Sequence, residues 1–143
     1  MKIFKILQNN RGAIGGETRL TNTDGTPLIA VAGVTTVYSR SFKIGHGSVF
    51  GVGFKAASSG VINLKIELEQ SWDGSVPTTE GSSDTDFVVG EGVTDIHSAL
   101  TDTTARLKLL SPVPGTYARL KITGGTGNDA STTLDVYVFQ QEG

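Results

Sequence analysis

The chain has 143 residues, with 12 basic and 14 acidic side chains for a formal charge of −2, and no cysteine. That length suits one domain with a core of its own, and the missing cysteine excludes disulfides, thiolate metal sites and a cysteine nucleophile. The near-even charge argues against a nucleic-acid binder that relies on a broad basic face.

Charged residues make up only 18%, so the polar surface falls to 18 Thr and 12 Ser, with 19 Gly for turns. Thr suits a half-exposed pleated face, and Ser and Gly suit turns, so this composition predicts strands. The opening MKIFKILQNNRG is too short and interrupted for a signal peptide, and no window reaches transmembrane length.

Lys2–Leu7 reads as a strand, or as an arm that packs elsewhere through Ile3, Phe4, Ile6 and Leu7. A Gly-rich link over Arg11–Gly16 follows, dividing the chain into residues 1–16, the arm and its link, and 17–143, a single β domain. Thr23–Pro27 is a turn and Pro27–Ala32 a short edge strand. Val34–Ile44 runs extended, with Val34, Thr36, Tyr38, Phe42 and Ile44 on one parity and Arg40 interrupting it.

After Gly45-His46-Gly47, the segment Ser48–Ala56 points Phe50, Val52 and Phe54 one way and Gly51 and Gly53 the other. Two glycines on one face leave a shallow groove or admit an aromatic side chain closely. Ile62, Leu64, Ile66 and Leu68 then alternate with Asn63, Lys65, Glu67 and Glu69, the pattern of a half-buried strand. The turn at Ala57–Gly60 predicts that these two strands form a hairpin.

Asp73–Asp86 is polar and reads as an exposed loop, the kind of segment where binding tends to reside. Asp86–Val89 is a short strand, and Val93–Thr104 offers a helical turn with Ile96 and Leu100 four apart. Ala105, Leu107 and Leu109 mark a strand stopped by Pro112 and Pro114. In Tyr117–Thr123, Ala118, Leu120 and Ile122 face inward, while Arg119 and Lys121 face outward within reach of Glu67 and Glu69. Thr132–Gln140 places Leu134, Val136 and Val138 on one face and Asp135, Tyr137 and Phe139 on the other, so its second face is covered or serves as an interface. Eight to ten strands with closely spaced turns predict an all-β fold, an antiparallel β-sandwich or jelly-roll-like barrel.

Catalytic chemistry finds little support. His46 and His97 have no ligand partners at metal-binding spacing and read as surface histidines. Asp73, Glu80, Asp84 and Asp86 have no EF-hand register and read as solvated loop charge. There is no Gly-x-Ser-x-Gly elbow, and Gly124-Gly125-Thr126-Gly127 lies between strands without the Lys-Ser/Thr of a phosphate loop. Ser71-Trp72-Asp73-Gly74 matches only a fragment of the sialidase Asp-box. Trp72 keeps inward parity and reads as a plug at one end of the core, ahead of the alternative, an exposed anchor for a partner or sugar. The residues therefore point to a protein that is not an enzyme and needs no cofactor and no metal.

LEQSWDG, a polar loop, DTDFVV and then SPVPGTYARLKITGG resemble small virion structural proteins of tailed phages, at Leu68–Gly74, Asp84–Val89 and Tyr117–Gly125. The resemblance covers about the C-terminal half and is one of style, with no functional motif carried over residue by residue. Among such proteins it implies a capsid decoration (cement) protein on the virion surface, made in the host cytoplasm. Its expected partners are the major capsid protein and its own copies, commonly as a homotrimer, without nucleic acid or membrane. The expected interface is Ile3, Phe4, Ile6, Leu7, Trp72, Tyr137 and Phe139. A carbohydrate-binding or adhesion module built on Trp72 and the acidic loop, or another virion part such as a head–tail or tail protein, remains the alternative.

Overall fold

Strict alternation on the longest segments decides the architecture, because each then has one apolar face to bury. The computed structural model describes residues 4–6, 19–44, 50–89, 95–111 and 116–141. These contain twelve strands: β1 (Phe4–Ile6), β2 (Arg19–Leu20), β3 (Ile29–Ala30), β4 (Thr36–Tyr38), β5 (Phe42–Lys43), β6 (Phe50–Ala57), β7 (Leu64–Ser71), β8 (Phe87–Val89), β9 (Asp95–Leu100), β10 (Arg106–Leu110), β11 (Tyr117–Gly124) and β12 (Thr133–Gln141). All pairings are antiparallel.

In the first sheet, β1, β2 and β3 lie end to end along one edge of β12, followed by β6 and β10. In the second, β4 and β5 share one edge of β11, and β8 and β9 share the far edge of β7. If each such run counts as one broken strand, the described residues form eight, ordered 1-8-3-6 and 2-7-4-5. That is the order of a jelly roll. The sheets form an open sandwich and do not close into a barrel.

The core lies between the sheets. Leu134, Val136 and Val138 of β12 and Phe50, Val52 and Phe54 of β6 face Leu64, Ile66 and Leu68 of β7 and Ala118, Leu120 and Ile122 of β11. Phe42 stacks on Phe50 across the layers at 5.8 Å.

Three expectations change. The predicted hairpin of 48–56 with the alternating strand over 62–69 does not form: β6 pairs with β10 and β12, whereas β7 pairs with β11, β8 and β9. Residues 58–63 cross between the layers, so the two apolar faces meet across the core. The predicted helical turn within 93–104 is strand β9 over Asp95–Leu100, with no helix in the described residues 101–104; Ile96 and Leu100 share a strand face as readily as a helix face. Tyr38 and Phe42, of equal parity, lie on opposite faces. Tyr38 stands opposite Lys121 and Phe42 opposite Ala118, leaving three residues against two, and this bulge reverses the alternation.

Leu120 is fully buried at the centre of the second sheet, whereas Leu107 is 63% exposed. Leu120→Ala is expected to destabilise the fold by about 2–5 kcal/mol. Leu107→Ala should change it by about 0.5 kcal/mol or less. Chemical denaturation of both variants measures the contrast; equal losses would contradict the described faces.

Candidate interaction surfaces

The outer face of the second sheet is built from the polar parity of β7 and β11. Glu67 lies opposite Lys121 and Glu69 opposite Arg119, the juxtaposition that the alternation predicts. Arg119, expected in water, is instead buried at 1% exposure, because residues 73–86 fold back over it. Its Nε donates to Glu69 at 2.8 Å, and Nη1 donates to the carbonyls of Ser82 at 2.8 Å and Thr79 at 3.3 Å. The guanidinium lies 4.0 Å from the Tyr38 ring centroid and 5.0 Å from that of Phe87, so two aromatic faces help replace water around the charge. Nη2 is buried without a hydrogen-bond partner among the described residues. Losing either member of such a buried pair strands the other charge, at a cost of about 3–5 kcal/mol.

The loop's acidic residues serve as braces. The Asp84 carboxylate accepts from the backbone N–H groups of Thr78, Thr79 and Asp86, and Asp86 accepts from the Thr78 hydroxyl. Asp73 accepts from Ser71 and Ser75, and Glu80 holds the Ser41 hydroxyl and N–H. Among the described residues no group of three or more His, Asp or Glu side chains is arranged to hold a metal.

Trp72 is not a core plug; it is 67% exposed. β7 ends at Ser71, and the Trp72 N–H bonds to the Asp86 carbonyl beyond the sheet, so strand parity no longer aims the ring inward. His97 lies in β9 with its ring edge-on to Phe54 at 5.9 Å, and His46 is outside the described residues.

The first sheet has a different outer face. Gly51 and Gly53 floor a groove walled by Phe139 on one side and by Leu107 and Leu109 on the other. A Cβ on Gly53 would sit 3.1 Å from the Phe139 ring, and one on Gly51 would sit 3.3 Å from Leu109, so a side chain at either position would push these neighbours outward by a few tenths of an ångström. Leu109 is 55% exposed, and the groove is wholly apolar. At one end stand Tyr137, with Arg19 5.6 Å over its ring, and the Arg19–Asp135 ion pair at 2.6 Å.

Of the predicted interface residues, Tyr137 and Phe139 share this face, whereas Trp72 belongs to the end of the other sheet. Phe4 and Ile6 lie in β1, their backbones opposite Gln141 and Phe139; Ile3 and Leu7 are outside the described residues. Leu107 and Leu109 were missed as surface residues, because their alternation with Arg106 and Lys108 does not say which of the two faces meets the core. No protein-family model, curated protein or solved structure matches the chain. No helix among the described residues is long and apolar enough to cross a membrane.

Hydrogen bonds from the N–H groups of Asp86, Thr79 and Thr78, with the nearby Arg119 charge, hold the Asp84 carboxyl below its ordinary value of 3.8. Its folded pKa is therefore depressed, so its contribution to the loop is present above that ordinary value and is lost as pH falls through the lower folded one. Hydrogen exchange at Thr78, Thr79 and Asp86, corrected for intrinsic rates, should accelerate across that acid range. Asp84→Asn should flatten the profile; a flat profile in the parent chain would contradict the bracing role.

Proposed function

We propose that this chain is a non-enzymatic structural component of a phage virion, a decoration protein that binds and reinforces the capsid through many repeated contacts. The observation that carries the reading is the contrast between the outer faces. The second sheet is covered at Arg119 by its own loop, whereas the first leaves an apolar strip at Leu107, Leu109 and Phe139. Such a strip, edged by ion pairs, is the pattern of a docking surface. The resemblance of Leu68–Gly74, Asp84–Val89 and Tyr117–Gly125 to phage virion proteins supplies the setting. The major capsid protein and further copies of the chain, as a homotrimer, are the partners in this reading. Symmetry converts individually weak contacts into high occupancy.

Gradient sedimentation of particles from the source culture, with mass spectrometry of each fraction, tests it. The chain should travel with filled capsids in fixed stoichiometry. The Leu107→Glu, Leu109→Glu double variant should lose at least about tenfold in occupancy while keeping its circular dichroism. Absence from every large particle would refute the virion role, and undiminished occupancy of the variant would refute the docking face.

A carbohydrate-binding or adhesion role is favoured by one observation, the exposed Trp72 beside the braced Asp73–Ser75 turn. An exposed indole is a stacking surface for a sugar ring. That reading predicts a saturable change in tryptophan fluorescence on titration with sugars, abolished by Trp72→Ala. No response across a glycan panel would remove it.

A further inference from the structure

Among the described residues, three of the four sheet edges are interrupted. The β1–β3 edge is broken between β2 and β3, the β4–β5 edge by its bulge, and the β8–β9 edge by register shifts against β7. Such breaks blunt an edge as a template for further strands. β10 has none: its five residues run in unbroken register with β6, and no strand lies on its other side among the described residues. No turn or loop hydrogen bond among the described residues engages the backbone of residues 106–110. It is also the edge that carries Leu107 and Leu109 into the apolar groove.

We propose that β10 accepts an added β-strand from a partner, an extended segment in which apolar residues alternate with carboxylates. The inference rests on the first sheet being the docking face, as in the proposed function, and names the chemistry of what docks there. In strand addition the main chain supplies affinity and the alternating side chains supply specificity. Residues directly opposite across a pair share a face. The partner's apolar positions therefore stand beside Leu107 and Leu109 and widen the groove floored by Gly51 and Gly53.

Its other positions meet Arg106 and Lys108. Arg106 is bridged to Asp102 at 2.7 Å, whereas half-buried Lys108 has no ion pair among the described residues. A carboxylate opposite Lys108 meets an uncompensated cation, and a second lysine there is repelled. The same charge argues against a second copy of β10 as the occupant. In an antiparallel self-pair, the register that joins all five residues sets Lys108 against Lys108. A helix laid in the groove would leave the backbone edge unpaired.

The test uses the full chain, labelled for amide NMR, with two blocked synthetic heptapeptides, Thr-Val-Glu-Val-Glu-Val-Thr and its lysine counterpart. The acidic peptide should slow hydrogen exchange at amides within 106–110 and bind about tenfold more tightly than the basic one. Lys108→Glu should reverse that preference; Lys108→Gln, a milder change, should erase most of it should the first variant fold poorly. Equal affinities, binding without protection at 106–110, or no binding of the acidic peptide would overturn strand addition. Capsid co-sedimentation of the parent chain is read separately, so failure of strand addition leaves the virion role standing. Loss of co-sedimentation with peptide binding intact refutes the virion role instead.

Discussion

Arg119 is a full positive charge held at 1% exposure on what would otherwise be a solvated sheet surface. A charge taken out of water must be matched by partners close at hand, or the fold loses several kcal/mol. Glu69 is placed opposite by the register of β7 and β11, while Thr79, Ser82, Tyr38 and Phe87 arrive from other segments. The loop over residues 73–86 is therefore a lid on this charge, fixed by its own carboxylates. With this face covered, the apolar outer strip of the other sheet is left as the exposed docking candidate.

The fold class was legible because period-two alternation survives in β6, β7, β11 and β12, whose inner faces make most of the core. The cross-strand partners of Glu67 and Glu69 were legible too, since two clean strands with opposite charges have few favourable registers. Sheet membership was not. Alternation says that Phe50 and Ile66 each face a core, and says nothing of whether they share a layer or oppose each other. The spacing of Ile96 and Leu100 satisfies helix and strand alike. Trp72 was misplaced because parity was extended one residue beyond the last paired position.

The groove was half legible. Gly51 and Gly53 on one face of β6 announced a shallow surface, and Tyr137 and Phe139 announced a second apolar face on β12. Leu107 and Leu109 complete it only because β10 turns these two residues outward and keeps Arg106, Lys108 and the buried Leu110 on the other parity. That inversion depends on which neighbour β10 has, a long-range fact. Burial of Arg119 is another such case, decided by carbonyls some 40 residues earlier in the chain.

The strand order has a consequence in time. β12, late in the sequence, is an interior strand of the first sheet, flanked by β6 and by the β1–β3 edge. During synthesis the earliest strands have no neighbour to hydrogen-bond with until the ribosome has delivered residues beyond 130. The inner faces of β6 and β7 can meet well before then, so half a sandwich waits with an open seam. Such long-range closure is slow and leaves apolar edges exposed meanwhile. Nascent chains stalled short of β12 should therefore be the aggregation-prone species.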